Sequence, residues 1–349
     1  MSGRQLQISA ILLFFSLIAG CSSPSGGAKI PGIGEKPALA QVRLGYFANV
    51  THAQALIGVA RGDFQKALGG VPLKTMIFNA GPSAVEAIFA GELDLTYIGP
   101  SPAINAFVKS KGQAVRIVSG AAANGVVIVA RNGSGIARLE DLAGKRLATP
   151  QYGNTQDVSA RHYVLNVLKQ PLKEQGGSTQ ILPIANAEQL GLFKSAQLDA
   201  AWVPEPWGAR LVHEAGGVVI EEEKNLWPRK NFTVAVVLAS AKFLEQNPEM
   251  VTAFLRVHAE LTRWINAEPA QAAELVNGEL RKLTGKALKK EVLAEAFSRL
   301  SFSTDPFPES IEQFAGWAYE LGFAKEKPEL KGLVDLRLLE KAQREGAPR

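Results

Sequence analysis

The sequence predicts an α/β protein folded as two lobes around a cleft, with a helical tail that returns to the first lobe. Three observations carry this. Strand-like and helix-like periods alternate in two successive runs, 42–130 and 147–220. A third apolar, β-branched run at 232–240 (FTVAVVLAS) follows the second unit. After Phe243 only helical periods remain, such as 250–267 and 292–300. The chain is therefore expected to pass between lobes near 130–134 and 230–236, a two-strand hinge. Lobe 1 takes 41–131 together with 234–349, and lobe 2 takes 132–233.

The N-terminal segment precedes both lobes. Arg4 stands ahead of an apolar run at 8–19 that is short for a bilayer span, so 1–20 reads as a signal peptide. It ends in Leu17-Ile18-Ala19-Gly20-Cys21, which resembles the bacterial lipobox, where the cysteine is lipidated and becomes the mature N-terminus. Cys21 is the only cysteine, which excludes an intramolecular disulfide, a cysteine zinc site and a catalytic thiol elsewhere. Residues 21–40, rich in Ser, Gly and Pro, read as a flexible tether. A membrane-anchored domain outside the cytoplasm is expected.

In lobe 1, 42–47 alternates as a first strand, and Thr51 with Gln54 has the spacing of a capping box before a helix that stops near Gly62. A second strand covers 71–78. The stretch 79–107 then carries two Gly-Pro-Ser turns, Gly81-Pro82-Ser83 and Gly99-Pro100-Ser101, each ahead of an alanine-rich helical period, with a strand at 93–98 between them. Ser83 and Glu86 have capping-box spacing, and Ser101 with Pro102 reads as an N-cap followed by proline at the first helical position. Strands at 115–119 and 125–130 complete the unit, the last apolar enough for a buried parallel strand in a doubly wound sheet.

In lobe 2, a short helix and turn at 139–146 leads to a strand at 147–150. Asn154 or Thr155 caps a helix through Leu168, with Asp157 in its first turn. A strand at 181–184, a helix at 187–196 and a strand at 198–203 follow, and the last runs into Pro204-Glu205-Pro206-Trp207. A helix at 207–215 ends at Gly216-Gly217, and 218–220 closes the unit.

Composition fits a globular chain: of 349 residues, 46% are hydrophobic and 20% charged. The net charge of +5 is small for this length, and no Lys/Arg block is interleaved with aromatics, so nucleic acid is not an expected partner. Arg281-Lys282 and Lys289-Lys290 read as solvated helix faces. No Walker-type loop appears.

At this point the sequence resembles the bacterial ABC-transporter substrate-binding proteins of the nitrate, sulfonate and bicarbonate group, including taurine and aliphatic-sulfonate binders and pyrimidine-precursor binders. The resemblance spans about 42–340. It is carried by GPSAVEAIFAGELDLTYIGPSPAINA, SGIARLEDLAGKRLATPQYGNTQD and QLDAAWVPEPW, and by the tail segments LEQNPEMVTAFLRVH and LKGLVDLRLLEKA. It implies a two-lobed periplasmic-binding-protein fold of type II with the helical tail on lobe 1. It also implies an ABC permease and its ATPase as partners, a monomer, and no cofactor. Two features bear on ligand choice. The second-lobe turn reads Gly153-Asn154-Thr155-Gln156-Asp157 where the family has a plain Gly-Ser, and the Pro-Glu-Pro-Trp turn does not select one ligand.

Ligand in such a fold sits at loops leaving the C-terminal ends of strands. The candidates are Asn49, His52, Ser83, Ser101, Asn124, Asn154, Thr155, Gln156, Glu205 and Trp207. Amides, hydroxyls and helix N-terminal N–H groups dominate, and no Arg or Lys lies within these turns. Neutral donors of this kind suit a permanently ionised oxyanion, a sulfonate before a phosphate-like group. His52 is either a surface residue of a first helical turn or a donor in the cleft. Glu205 either supports the helix start at Pro206 or pairs with a ligand amine, as taurine would need. Trp202 reads as buried, Trp207 as a cleft wall, and Tyr46 and Tyr152 as core or wall. Asp94, Asp141 and Asp199 read as structural. Nitrate, bicarbonate and a pyrimidine precursor are alternative ligands. A ligand-sensing lipoprotein is an alternative role. An enzyme like the pyrimidine-precursor synthases would need the cysteine-rich motif that this chain lacks, and His52, His162, His213 and His258 form no close metal-ligand pair by spacing.

Overall fold

The computed structural model describes residues 39–346. The expected signal peptide at 1–20, Cys21 and nearly all of the 21–40 tether lie outside the described residues.

The strands before the middle of the chain are β1 (Val42–Phe47), β2 (Leu73–Phe78), β3 (Leu95–Ile98), β4 (Val115–Asn124), β5 (Val126–Ala130) and β6 (Arg146–Thr149). The later ones are β7 (Gln180–Pro183), β8 (Ala200–Pro204), β9 (Val218–Glu222), β10 (Thr233–Ser240) and β11 (Leu300–Phe302). They form two sheets, a six-stranded one in the order β11-β4-β10-β3-β1-β2 and a five-stranded one in the order β7-β6-β8-β5-β9. The helices between strands are α1 (Ala53–Ala60), α2 (Asp63–Ala67), α3 (Gly81–Phe89), α4 (Pro100–Lys109), α5 (Thr155–His162), α6 (Asn186–Lys194) and α7 (Trp207–Ala215). The tail holds α8 (Ala241–Gln246), α9 (Pro248–Ala267), α10 (Pro269–Thr284), α11 (Lys290–Ser298), α12 (Pro308–Glu320) and α13 (Arg337–Glu345).

Both sheets are mixed, where alternation alone predicted parallel ones. β1 runs parallel to β2 and β3, but β10 is antiparallel to β3 and β4. In the second sheet β6 is parallel to β7 and β8, while β5 is antiparallel to β8 and β9. β5 is buried along its whole length. Burial on both faces is what makes a strand uniformly apolar, so the run VVIVA carries no information on direction.

β5 belongs to the second sheet, so the first passage between sheets falls at Asn124-Gly125, ahead of the 130–134 expected. Both residues sit in the left-handed region, at φ 64° and 67°. Asparagine and glycine tolerate this conformation, and the chain turns there from one sheet into the other. A Cβ on Gly125 would also lie 2.2 Å from Leu300 Cδ2. The return runs through 223–232, and Asn124 bonds to Phe232 at both N–H and side chain, which ties the two passages together. The tail is not purely helical: β11 pairs with the end of β4, Leu300 opposite Asn124.

Helix starts also differ. α3 begins at Gly81 and α4 at Pro100, neither with a side-chain cap, so Ser83 and Ser101 sit inside their first turns. The prolines at these starts fix φ and lack an N–H, and the start moves to them. Thr51 lies in a 3₁₀ turn, Val50–His52, ahead of α1. Asp94 and Asp199 repeat one structural device: each accepts the backbone N–H and guanidinium of a strand-opening arginine, Arg43 or Arg146. The Arg146 hydrogen bonds hold the Asp199 carboxyl down at about 2. Asp141 accepts the N–H groups of Ala137 and Arg138 ahead of its 3₁₀ turn.

The largest core cluster includes residues from both sides of the passage, among them Trp202, Trp227, Phe232 and Phe314. A smaller cluster lies behind the second sheet, around Val127, Val203, Phe193 and Leu211.

Candidate functional site

A small cavity of about 20 Å³ lies in the seam between the sheets, lined by Phe47, Asn49, Thr51, His52, Gly81, Gly99 and Pro102 on one side. Asn154, Thr155, Gln156 and Pro204 line the other, with Val234 from the return strand. Its walls are the loop after β1, the starts of α3, α4 and α5, and the end of β8. These are C-terminal strand ends and helix N-termini, where backbone N–H groups lack helical partners.

Prolines thin the supply of those groups. Pro100 and Pro102 leave Ser101 as the single N–H donor among the first three residues of α4, and Pro82 leaves Gly81 and Ser83 in α3. α5 supplies more. Its N-cap Asn154 accepts the Asp157 N–H at 2.8 Å, and the Thr155 and Gln156 N–H groups precede the first helical bond.

Around the cavity, the acceptor atoms of Asn49, His52, Asn154 and Gln156 are already bonded within the protein. Asn49 Oδ1 accepts the Trp207 indole N–H at 2.8 Å. Indole only donates, so the Asn49 oxygen must face it and the Nδ2 donors remain. His52 Nδ1 accepts the Phe47 N–H at 3.0 Å, which leaves the second ring nitrogen as N–H. Burial holds the His52 imidazole down at about 3, so it is neutral. Asn154 Oδ1 is taken by Asp157, and its Nδ2 donates to Gln156 Oε1 at 2.9 Å, which leaves the Gln156 Nε2 donors. The Thr155 hydroxyl is buried without a partner among the described residues. Among the described residues, no Lys, Arg, Asp or Glu lines the cavity. Arg161 is held in lobe 2 by Asp157 and Glu174.

Four straps cross the seam beside it. Besides Asn49 with Trp207, Asn79 Nδ2 donates to the Pro150 carbonyl at 3.3 Å, Ser83 pairs with Gln151 at 3.2 Å, and Arg299 pairs with Glu205 at 2.5 Å. Gly99 packs against Thr155: a Cβ there would lie 2.2 Å from Thr155 Oγ1.

Of the residues predicted from sequence, Asn49, His52, Asn154, Thr155 and Gln156 come together around the cavity. Trp207 acts behind it, fixing Asn49, with Arg210 over its ring. Ser83 lies at the rim as a strap to Gln151. Ser101 faces a different small gap, with Gly153 and Phe323. Asn124 is not at the cavity, because its side chain accepts the Phe232 N–H in the passage between sheets. Nor is Glu205: it is fully buried, bonded to the Ala209 N–H and to Arg299, so it supports the start of α7. Tyr46 is core, and Tyr152 is exposed on Phe323. Sequence reasoning missed Gly81, Gly99, Pro102 and Val234 as lining residues. The two Gly-Pro-Ser turns were the available signal for the glycines.

The profile of the NMT1-like family matches residues 35–278. A Bacillus subtilis protein provisionally named as an aliphatic sulfonates-binding protein is 25% identical over 341 residues, covering 94% of this chain and 94% of its own. Among solved structures, the nitrate-binding protein NrtA of Synechocystis superposes with a TM-score of 0.74 at 16% identity, covering 89% of this chain and 90% of its own. The MOPS-bound alkanesulfonate-binding protein SsuA of Xanthomonas axonopodis gives 0.70 at 19%, covering 85% and 98%. The two-lobed fold is shared with them.

Burial of neutral His52 has a pH consequence. Its folded pKa of about 3 lies below the ordinary value near 6.5, so the unfolded chain takes up the proton first. The associated stability is complete above about pH 6.5 and is lost towards pH 3, at about 1.4 kcal/mol per pH unit. Urea unfolding at pH 7 and pH 5 is expected to show a smaller acid loss for His52→Gln than for the parent. His258, also buried and held down at about 4, leaves a residual slope in both. Equal losses would show that His52 is not buried neutral.

Proposed function

The chain belongs to the NMT1-like family, and we propose that it is the extracytoplasmic solute-binding component of an ABC importer that captures a small oxyanion between its lobes. The observation that carries this reading is the donor-rich surface of the seam cavity, with no charged side chain among its lining residues. Asn49, His52 and Gln156 offer hydrogens while their acceptors are bonded within the protein, and the Thr155 hydroxyl, without a partner among the described residues, can add another. A sulfonate or nitrate is ionised at every physiological pH, carries three oxygens and has no proton to give away. Bicarbonate has a hydroxyl that would face donors. A pyrimidine precursor brings ring N–H groups with the same difficulty.

An aliphatic sulfonate is the leading ligand, supported by the name of the Bacillus relative. Taurine fits less well, because its ammonium would need a free carboxylate and Glu205 is committed to Arg299 and the Ala209 N–H. Nitrate is the second reading, favoured by a cavity of only about 20 Å³. For any larger ligand the lobes open about Asn124-Gly125 and the return at 223–232, then close on the headgroup, and the permease receives the closed form. Cys21 carries the lipid that holds the protein to the membrane.

Calorimetric titration with ethanesulfonate, taurine, nitrate and bicarbonate tests the reading. Ethanesulfonate is expected to bind most tightly, and Gly99→Ala, whose Cβ would press on Thr155, to weaken it at least tenfold. Binding of nitrate alone would select the second reading, and a response only to cations or neutral sugars would sink both. The anchor is checked by palmitate labelling in the producing cells, where Cys21→Ser is expected to lose the label and leave the membrane fraction. Retained label would refute it.

A further inference from the structure

A second and much larger cavity, about 460 Å³, opens between α5 and α12 and shares no lining residue with the seam cavity. Its size falls within the range of small-molecule sites. Trp202, Trp227, Trp317 and Tyr163 wall it, and one acid, Glu223, lines it.

Glu223 is 1% exposed and has only neutral partners. Trp202 Nε1–H donates to Oε2 at 2.6 Å, Ser159 Oγ–H to Oε1 at 2.7 Å, and Trp227 Nε1–H to Oε1 at 3.4 Å. Among the described residues no Lys, Arg or His makes an ion pair with it; the nearby Lys224 pairs with Glu222. A carboxylate has about four lone-pair positions, so with three donors bound one position on Oε2 stays open. His162, stacked on Trp317 at 4.2 Å, is held below its ordinary pKa by burial, and its Nδ1 lies 3.2 Å from Glu320 rather than on Glu223.

We propose that this cavity is a second ligand site, built for a small organic cation: an ammonium group on a compact apolar body. The ammonium meets the open position on Glu223, and the body lies against the indole rings, whose negative faces attract cations. Burial raises the Glu223 carboxyl to about 7, so the acid is partly protonated near neutrality and a bound cation would complete its ionisation. Glu223 is thus prepared as a counter-charge in a cavity whose other walls are aromatic, which neither an anion nor a plain hydrocarbon would use.

Calorimetry on the intact protein with benzylammonium, and with benzyl alcohol as its uncharged match, tests the site. Benzylammonium is expected to bind at one site at least tenfold more tightly than benzyl alcohol. Glu223→Gln should erase that difference, and a parent-like far-UV circular dichroism spectrum with cooperative thermal unfolding reports that the variant folds. If Glu223→Gln does not fold, Trp317→Leu, on the opposite wall, decides: benzylammonium affinity should fall at least fivefold. Equal affinities for the charged and uncharged probes, no binding of benzylammonium, or variants that bind it as the parent does would each overturn the proposal. Because ethanesulfonate is titrated separately, failure here is distinguishable from failure of the oxyanion reading.

Discussion

Three hydrogen bonds set the chemistry of the seam: Phe47 N–H to His52 Nδ1, Trp207 indole N–H to Asn49 Oδ1, and Asp157 N–H to Asn154 Oδ1. Each takes a lone pair that would otherwise face the cavity. Asn, Gln and His are ambivalent residues, able to donate or accept, and their own surroundings decide which end remains. Here those surroundings are local backbone in two cases and an indole in the third. The same bonds therefore fold the loop after β1, cap α5, strap the sheets together and polarise the site. Remove one, and an acceptor turns towards the space that is otherwise lined by donors.

The architecture brings these atoms within reach of each other. One passage at Asn124-Gly125 and one at 223–232 join the sheets, and Asn124 hydrogen-bonds to Phe232 across the pair. Left-handed backbone at two adjacent positions lets the chain change sheets within a single step. Other contacts across the seam include the polar pairs Asn79 with Pro150, Ser83 with Gln151 and Glu205 with Arg299, and the ring contacts Tyr152 with Phe323 and His162 with Trp317. Glu205 and Arg299 are both largely buried, so breaking that pair during opening exposes two charges to water, which lowers its net cost. At Gly99 there is no side chain at all, which leaves room for the Thr155 hydroxyl against the backbone there.

Much of this was legible from sequence. The strands at 42–47 and 146–149, the helix at 207–215, its stop at Gly216 and the cap at Asn154 follow from period and end signals, because each is fixed by nearby residues. The seam residues Asn49, His52 and 154–156 were reachable from the rule that ligands meet strand ends. What failed depended on distant partners. Asn124 looked like a cleft amide, yet its partner Phe232 is 108 residues away. For Glu205 the sequence left two roles open, helix support or a ligand amine, and the partner that helps decide between them, Arg299, is 94 residues on. Strand direction in β5 is invisible to composition, since antiparallel burial between β8 and β9 makes the same apolar run. Ser83 and Ser101 were misplaced at their caps because the capping pattern competed with proline, and proline's fixed φ won.

The absence of a cation from the cavity wall has a physical logic of its own. A buried Arg there would strengthen anion binding, but closing without ligand would then bury an unpaired charge, at several kcal/mol. Neutral donors lower that penalty, since each unmade hydrogen bond in a buried site costs about 1–3 kcal/mol. The same figure sets the discrimination available. An anion that presents an O–H to this surface leaves one protein donor facing another hydrogen, and loses one such bond. At about tenfold per 1.4 kcal/mol, that corresponds to roughly 5- to 150-fold against a protonated competitor of similar size. For the proposed oxyanion, a donor-rich site would favour sulfonate or nitrate over bicarbonate without a charged side chain, provided the acceptors of Asn49, His52 and Asn154 stay turned away.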